Sequence, residues 1–145
     1  MPTRATVSPI IQAVLNVLRA NLTKPVGDGE APEGCSPPYV VVTGIVSGGL
    51  TGSIASPEVD AKDRIQVASV GNSREQADWL RDQCRAILFY DTIDADLAVQ
   101  AVDRRCLRMW VDVSTGLARD DRGLPEPLFS ALDQYIIETT PYVQA

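Results

Sequence analysis

The chain has 145 residues, 45% of them hydrophobic and 22% charged, an ordinary globular composition with room for a single domain. Its net charge of −6, with only Lys24 and Lys62 as lysines, opposes nucleic-acid binding, because Lys and Arg neutralising phosphates supply most non-specific affinity. The lack of any histidine removes the Ser-His-Asp and Cys-His nucleophile systems, imidazole metal ligands and the commonest general base together.

The first predicted element is a helix. Ser8 can cap it, and Pro9 sits at the first helical position, where a missing N–H costs nothing. Ile11, Val14, Leu15, Leu18 and Leu22 then recur at helical spacing as one apolar stripe. Pro25 and Gly27 end the helix, and residues 25–38 (PVGDGEAPEGCSPP) are half Pro or Gly, without periodicity. A connection this long exceeds the median of about 4–6 residues, which makes it either mobile or used in contacts.

Tyr39 to Val46 reads as a strand crowded with β-branched residues, apolar on both faces and so expected centrally in a sheet. Gly48-Gly49 and Thr51-Gly52 supply turn chemistry, and a loop follows through Ser56-Pro57. Arg64 to Val70 alternates as the next strand, ended by Gly71.

A second helix opens at Ser73, with Gln76 three residues on as a capping box in which each side chain meets the other's backbone N–H. Ala77, Leu80, Cys84, Ile87 and Leu88 form its apolar face, with Asp78–Arg81 and Asp82–Arg85 as i, i+3 pairs on the wet side. The last third reads as a long hairpin. Leu107, Met109, Val111 and Val113 share a face in one strand, and Phe129, Ala131, Tyr135 and Ile137 in the other, with residues 114–127 as the polar tip. A continuous strand from Leu128 to Thr140 spans about 43 Å, twice a usual strand, and is expected to overhang the domain.

No chemical motif emerges. Cys35, Cys84 and Cys106 are odd in number and show no C-x-x-C spacing, and Cys84 and Cys106 read as buried thiols. The N-terminus lacks an apolar leader and no run approaches the ~20 residues of a membrane span, so a cytoplasmic fold without membrane contact is expected. Asp91, Asp94 and Asp96 form the best acidic cluster, but Asp96 and Val102 stand where an EF-hand loop needs glycine and glutamate. Arg104, Arg105 and Arg108 read as a solvated strand start, and Gly48, Gly49 and Gly52 lack the lysine and helix of a phosphate loop. No catalytic residue, metal or cofactor is expected.

Several of these features in order resemble the tail-terminator family of long-tailed, non-contractile bacteriophages. They are the opening helix, the strand Pro38-Tyr39-Val40-Val41-Val42 with its Gly-rich hairpin, the junction Val70-Gly71-Asn72-Ser73-Arg74-Glu75-Gln76-Ala77-Asp78-Trp79-Leu80, and a closing strand ending Thr139-Thr140-Pro141. The resemblance runs over residues 8–141. It implies an α+β fold, a mixed and mostly antiparallel β-sheet flanked by two amphipathic helices with a long C-terminal β-hairpin. It also implies a virion protein forming a homo-oligomeric ring, typically hexameric, on the head-proximal end of the tail. There the ring stops the tail tube protein from polymerising and presents a surface to the head-tail connector protein. DNA passes through such a ring without specific binding.

Rings close through heterologous contacts, so two different patches are needed. The candidates are the hairpin tip, with Leu117, Arg119, Asp120, Asp121, Arg122 and Leu124, and the first loop, with Asp28, Glu30 and Glu33. Trp79 and Trp110 join them as aromatic anchors. Three rival readings are another neck protein of the virion, a small metal enzyme using Asp91, Asp94 and Asp96, and a nucleic-acid-binding module, which the net charge opposes.

Overall fold

The computed structural model describes residues 7–51, 60–88, 104–116, 118–120 and 127–141. Two helices, α1 (Val7–Asn21) and α2 (Arg74–Leu88), accompany six strands. These are β1 (Val26–Asp28), β2 (Tyr39–Thr51), β3 (Asp60–Gly71), β4 (Arg104–Ser114), β5 (Ala118–Asp120) and β6 (Leu128–Pro141). They form one sheet in the order β1-β2-β3-β6-β4, with β5 also on β6. Among the described residues, only β1 and β2 pair in parallel, and every other pair is antiparallel. The architecture is the expected α+β fold with its mixed, mostly antiparallel sheet and C-terminal hairpin.

The alternation of β3 decides which side carries the core. Asp63, Ile65, Val67, Ser69 and Gly71 are buried, whereas Lys62, Arg64, Gln66, Ala68 and Val70 are only partly covered. Val40 and Val42 of β2 and Ala131, Tyr135 and Ile137 of β6 extend the buried side. Against it lie Ile10, Val14, Leu15 and Leu18 of α1 and Leu80, Cys84 and Leu88 of α2, in one continuous cluster. Each large apolar side chain so buried contributes about 1.5–3 kcal/mol.

Several details depart from the sequence reading. Helix α1 starts at Val7, so Ser8 lies inside it, and Pro9 stays in the first turn where no intrahelical acceptor awaits its nitrogen. Its buried stripe takes Ile10 and Ala13, leaving Ile11 and Leu22 partly covered. Strand β2 continues through Gly48 and Gly49, with a register irregularity between Ile45 and Gly49, because the ladder to β3 uses backbone groups that glycine also has. It sits second from one edge, as β6 does from the other, and β3 is the central strand.

The hairpin differs most. Strand β5 takes up residues 118–120 of the expected tip, which leaves 121–127 to connect the strands. Strand β6, about 46 Å long by its fourteen residues, does not overhang. Every residue of it has a cross-strand partner in β3, β4 or β5. Bulges in β4 between Cys106 and Arg108 and between Val111 and Val113 break its alternation, so Met109 is buried but Val113 is 41% exposed.

Candidate assembly surfaces

The junction from β3 into α2 fixes the first surface. A Cβ on Gly71 would stand 2.8 Å from the Ala77 nitrogen, so only glycine lets the strand pass this close beneath the helix. Ser73 Oγ accepts the Gln76 N–H at 3.1 Å, as a capping box requires. Gln76 Oε1, however, accepts from Asn72 at 2.7 Å, one residue earlier than the expected reciprocal partner. Asn72 in turn donates its side-chain amide to Pro37 O at 3.2 Å, tying the junction to the end of the first loop.

Helix α2 then holds the hairpin with two arginines one turn apart. Arg81 pairs with Asp78, as expected, and donates to Thr115 O at 3.1 Å. Arg85 does not take Asp82. Its guanidinium meets both carboxylate oxygens of Asp133, at 2.7 and 2.8 Å, and donates to Ser114 Oγ at 2.9 Å. Asp133 is 1% exposed, so this fork neutralises a charge that water cannot reach. The hydrogen bond to Asp133 raises the pKa of Arg85 above its ordinary value.

Thr115 adds hydrogen bonds to both backbone groups of Leu132, closing the gap between β4 and β5. Beneath the clamp, burial pushes the Cys84 thiol up to about 12. The Tyr135 hydroxyl is also raised, first by burial and then by the Asp133 charge. Neither group is poised for acid–base work near neutrality.

The other side of the sheet, which no described helix covers, is the second surface. Arg64 bonds Asp112 at 2.6 Å and Gln134 at 3.1 Å, and Gln134 reaches Gln66 at 3.4 Å. Lys62 lies 4.0 Å from Glu138 and 5.9 Å above the Trp110 ring. A small open depression is lined by Lys62, Asp63, Arg64 and Ile136. Among the described residues, these charges pair with one another across the face.

The third surface is the first loop. Gly27 turns so tightly that a Cβ there would fall 2.0 Å from Glu30 O. Val40 donates to Pro25 O at 2.9 Å, Gly29 donates to Val42 O at 2.8 Å, and Arg19 holds Val26 O. The segment is therefore fastened to β2 and α1, and it presents Asp28, Glu30 and Glu33 to solvent.

The expected contact residues thus fall at separate places. Asp28, Glu30 and Glu33 flank the β1 edge, while Arg119 is exposed on β5, across β2, β3 and β6. Asp120 ends β5, and Leu117, Asp121, Arg122 and Leu124 lie outside the described residues. Trp79 is 46% exposed on α2, and Trp110 is half-buried on the uncovered face. Asp91, Asp94 and Asp96 are likewise outside the described residues; among those described, no group of His, Cys, Asp or Glu is placed to hold a metal. No described helix is long and apolar enough to cross a membrane.

The Arg85–Asp133 clamp was missed in the sequence. The available signal was Asp133 itself, a carboxylate in the buried phase of Ala131, Tyr135 and Ile137, where a charge needs a partner.

No protein-family model matches the sequence, and neither does any curated protein. Among solved structures, the chain is similar to one described as "Virion of native gene transfer agent (GTA) particle". The TM-score is 0.69 at 14% identity, over 94% of this chain and 99% of that one. At that identity the likeness is one of fold.

Proposed function

We propose that the protein is a structural component of a phage-like virion, a tail terminator that forms a ring on the head-proximal end of the tail tube. The observation that carries this reading is the fold shared over nearly the whole of both chains with a chain of a gene transfer agent virion. The resemblance of the strand-to-helix junction at residues 70–80 to tail terminators points the same way. In this role the ring stops tube growth, binds the tube protein on one side and presents the other to the head connector. The first loop and the β5 end of the hairpin serve as subunit contacts, with Trp79 and Trp110 as further anchors. A net charge of −6 suits a conduit that must not hold passing DNA.

The test is electron microscopy of lysates from a phage carrying a stop codon in this gene. Overlong, headless tails of variable length are expected. Tails of normal length that fail to join heads would move the protein into the neck, and normal infectious particles would remove it from assembly altogether.

A further inference from the structure

The face of the sheet that no described helix covers is apolar at one end. The pairing register sets Val41 beside Ala68 and Ala68 beside Leu132, a continuous row across β2, β3 and β6. In the next row Tyr39 stands beside Val70. These side chains alternate with the buried Val40, Val42, Val67, Ser69 and Ala131, so they point away from the core, and each is partly exposed. A solvated face of an antiparallel sheet is ordinarily polar at the outward positions. This patch carries no charge, which is the composition of the centre of a protein contact rather than of a wetted surface.

Helix α2 presents the complement on the opposite side of the molecule. Ala77, Leu80, Cys84 and Leu88 are its buried side, and Glu75, Trp79, Asp82 and Ala86 form its exposed outward arc. Among the described residues, only Trp79, at 46%, and Val113 are large hydrophobics left exposed. Glu75 and Asp82 flank Trp79 one turn to either side. The arc holds no cation, because Arg74 is turned aside over the Phe129 ring at 5.9 Å.

Two copies could meet in three ways, and the described side chains separate them. Helix against helix sets Glu75 and Asp82 against the same carboxylates. Sheet against sheet covers the apolar rows but leaves each Trp79 in water. Helix against sheet covers both at once. The row beside the patch, Thr43, Gln66 and Gln134, then offers amide N–H groups to the carboxylates that flank Trp79. That pairing is also heterologous, one surface meeting a different one, as ring closure requires.

We infer that α2 of one subunit lies against the helix-free face of the sheet in a second copy of this chain, with Trp79 seated on the Val41–Ala68–Leu132 row. The inference rests on the ring reading above and names what its tryptophan anchor meets.

The experiment measures oligomer size by light scattering for wild type, Trp79→Ala and Ala68→Glu, with thermal melts to check that each is folded. Should Ala68→Glu fail to fold, Leu132→Gln, also at a partly exposed position of the row, takes its place. Each variant alone is expected to associate at least about tenfold more weakly than wild type. A one-to-one mixture of the two is expected to form dimers and stop there. One chain keeps its tryptophan and the other its apolar row, so a single contact survives. Variants that assemble like wild type overturn this contact and leave the ring to close elsewhere. A wild type that stops at a dimer, or a mixture that forms none, overturns the head-to-tail pairing. A wild type that stays monomeric at every concentration overturns the contact, and the stop-codon phage then decides separately whether the terminator reading stands.

Discussion

The two faces of the sheet are written by the same strands in alternate residues, yet they follow different rules. On β3, Ile65 and Val67 face the helices and are almost wholly buried, while Arg64 and Gln66 between them reach across to Asp112 and Gln134 in partial contact with water. The covered face holds two buried carboxylates among the described residues, Asp63 and Asp133, and Asp133 is answered by a two-pronged guanidinium. The other face holds several, paired in partial contact with water, closely for Arg64 with Asp112 at 2.6 Å and loosely for Lys62 with Glu138 at 4.0 Å. A one-residue step along a strand thus separates positions that determine stability from positions free to change.

The largest break in that contrast is expected from Ile65→Ala, which empties a fully buried site and should lower unfolding free energy by about 2–5 kcal/mol in urea titration. Arg85→Ala follows. It leaves the Asp133 carboxylate enclosed without its cation and should cost about 2–3 kcal/mol, below the usual range of about 3–5 kcal/mol because Arg85 is partly exposed. Restoring the loss by the second substitution Asp133→Asn would identify the stranded charge as its cause.

The covered face should also fail at high pH. Above 9.0, the ordinary value for a thiol, the unfolded chain gives up the Cys84 proton while the folded chain keeps it to about 12. Stability is unaffected by this group below 9.0 and falls across that window by up to about 1.4 kcal/mol per pH unit. Tyr135, raised in the same way, adds to the fall at higher pH. Melts of Cys84→Ala between pH 9 and 12 should show a shallower decline than wild type; an equal slope would refute the assignment.

Smaller effects complete the ordering. Ser73→Ala removes the oxygen that accepts the Gln76 N–H and should cost about 1 kcal/mol. Gln66→Ala, one residue from Ile65 but on the other face, should change stability by no more than about 0.5 kcal/mol. A loss comparable with that of Ile65→Ala would mean the uncovered face is not the permissive one.

The covered face was largely legible in the sequence. The spacing of Ala77, Leu80, Cys84 and Leu88 predicts the buried side of α2, and Ser73 with Gln76 predicts its start. What escaped is pairing that local pattern does not encode. Three residues, Val26 to Asp28, cannot show a period, and their strand exists only because Tyr39 to Val42 lies alongside. Residues 118–120 carry turn-like neighbours and become a strand only against β6. The bulge at Val111–Val113 undoes an alternation that the sequence displays cleanly. Of the expected contact residues, the chain's spacing gave no sign that the first loop and β5 stand at opposite edges, since that separation depends on β6 entering between β3 and β4.

That placement of β6 also sets the order in which the molecule can be made. The strand joining the two halves of the sheet is the last to appear among the described elements, and its partners in β3 lie more than fifty residues earlier along the chain. Helix α2 and the β2–β3 pair can form from nearer contacts, but β4 has no sheet to join until Leu128–Pro141 arrives. Folding must therefore wait on distant loop closure, which predicts a slow, single late step in which the second edge comes into being. An incomplete chain would lack a finished β4 edge, so the sheet attains its full width only once that step is over.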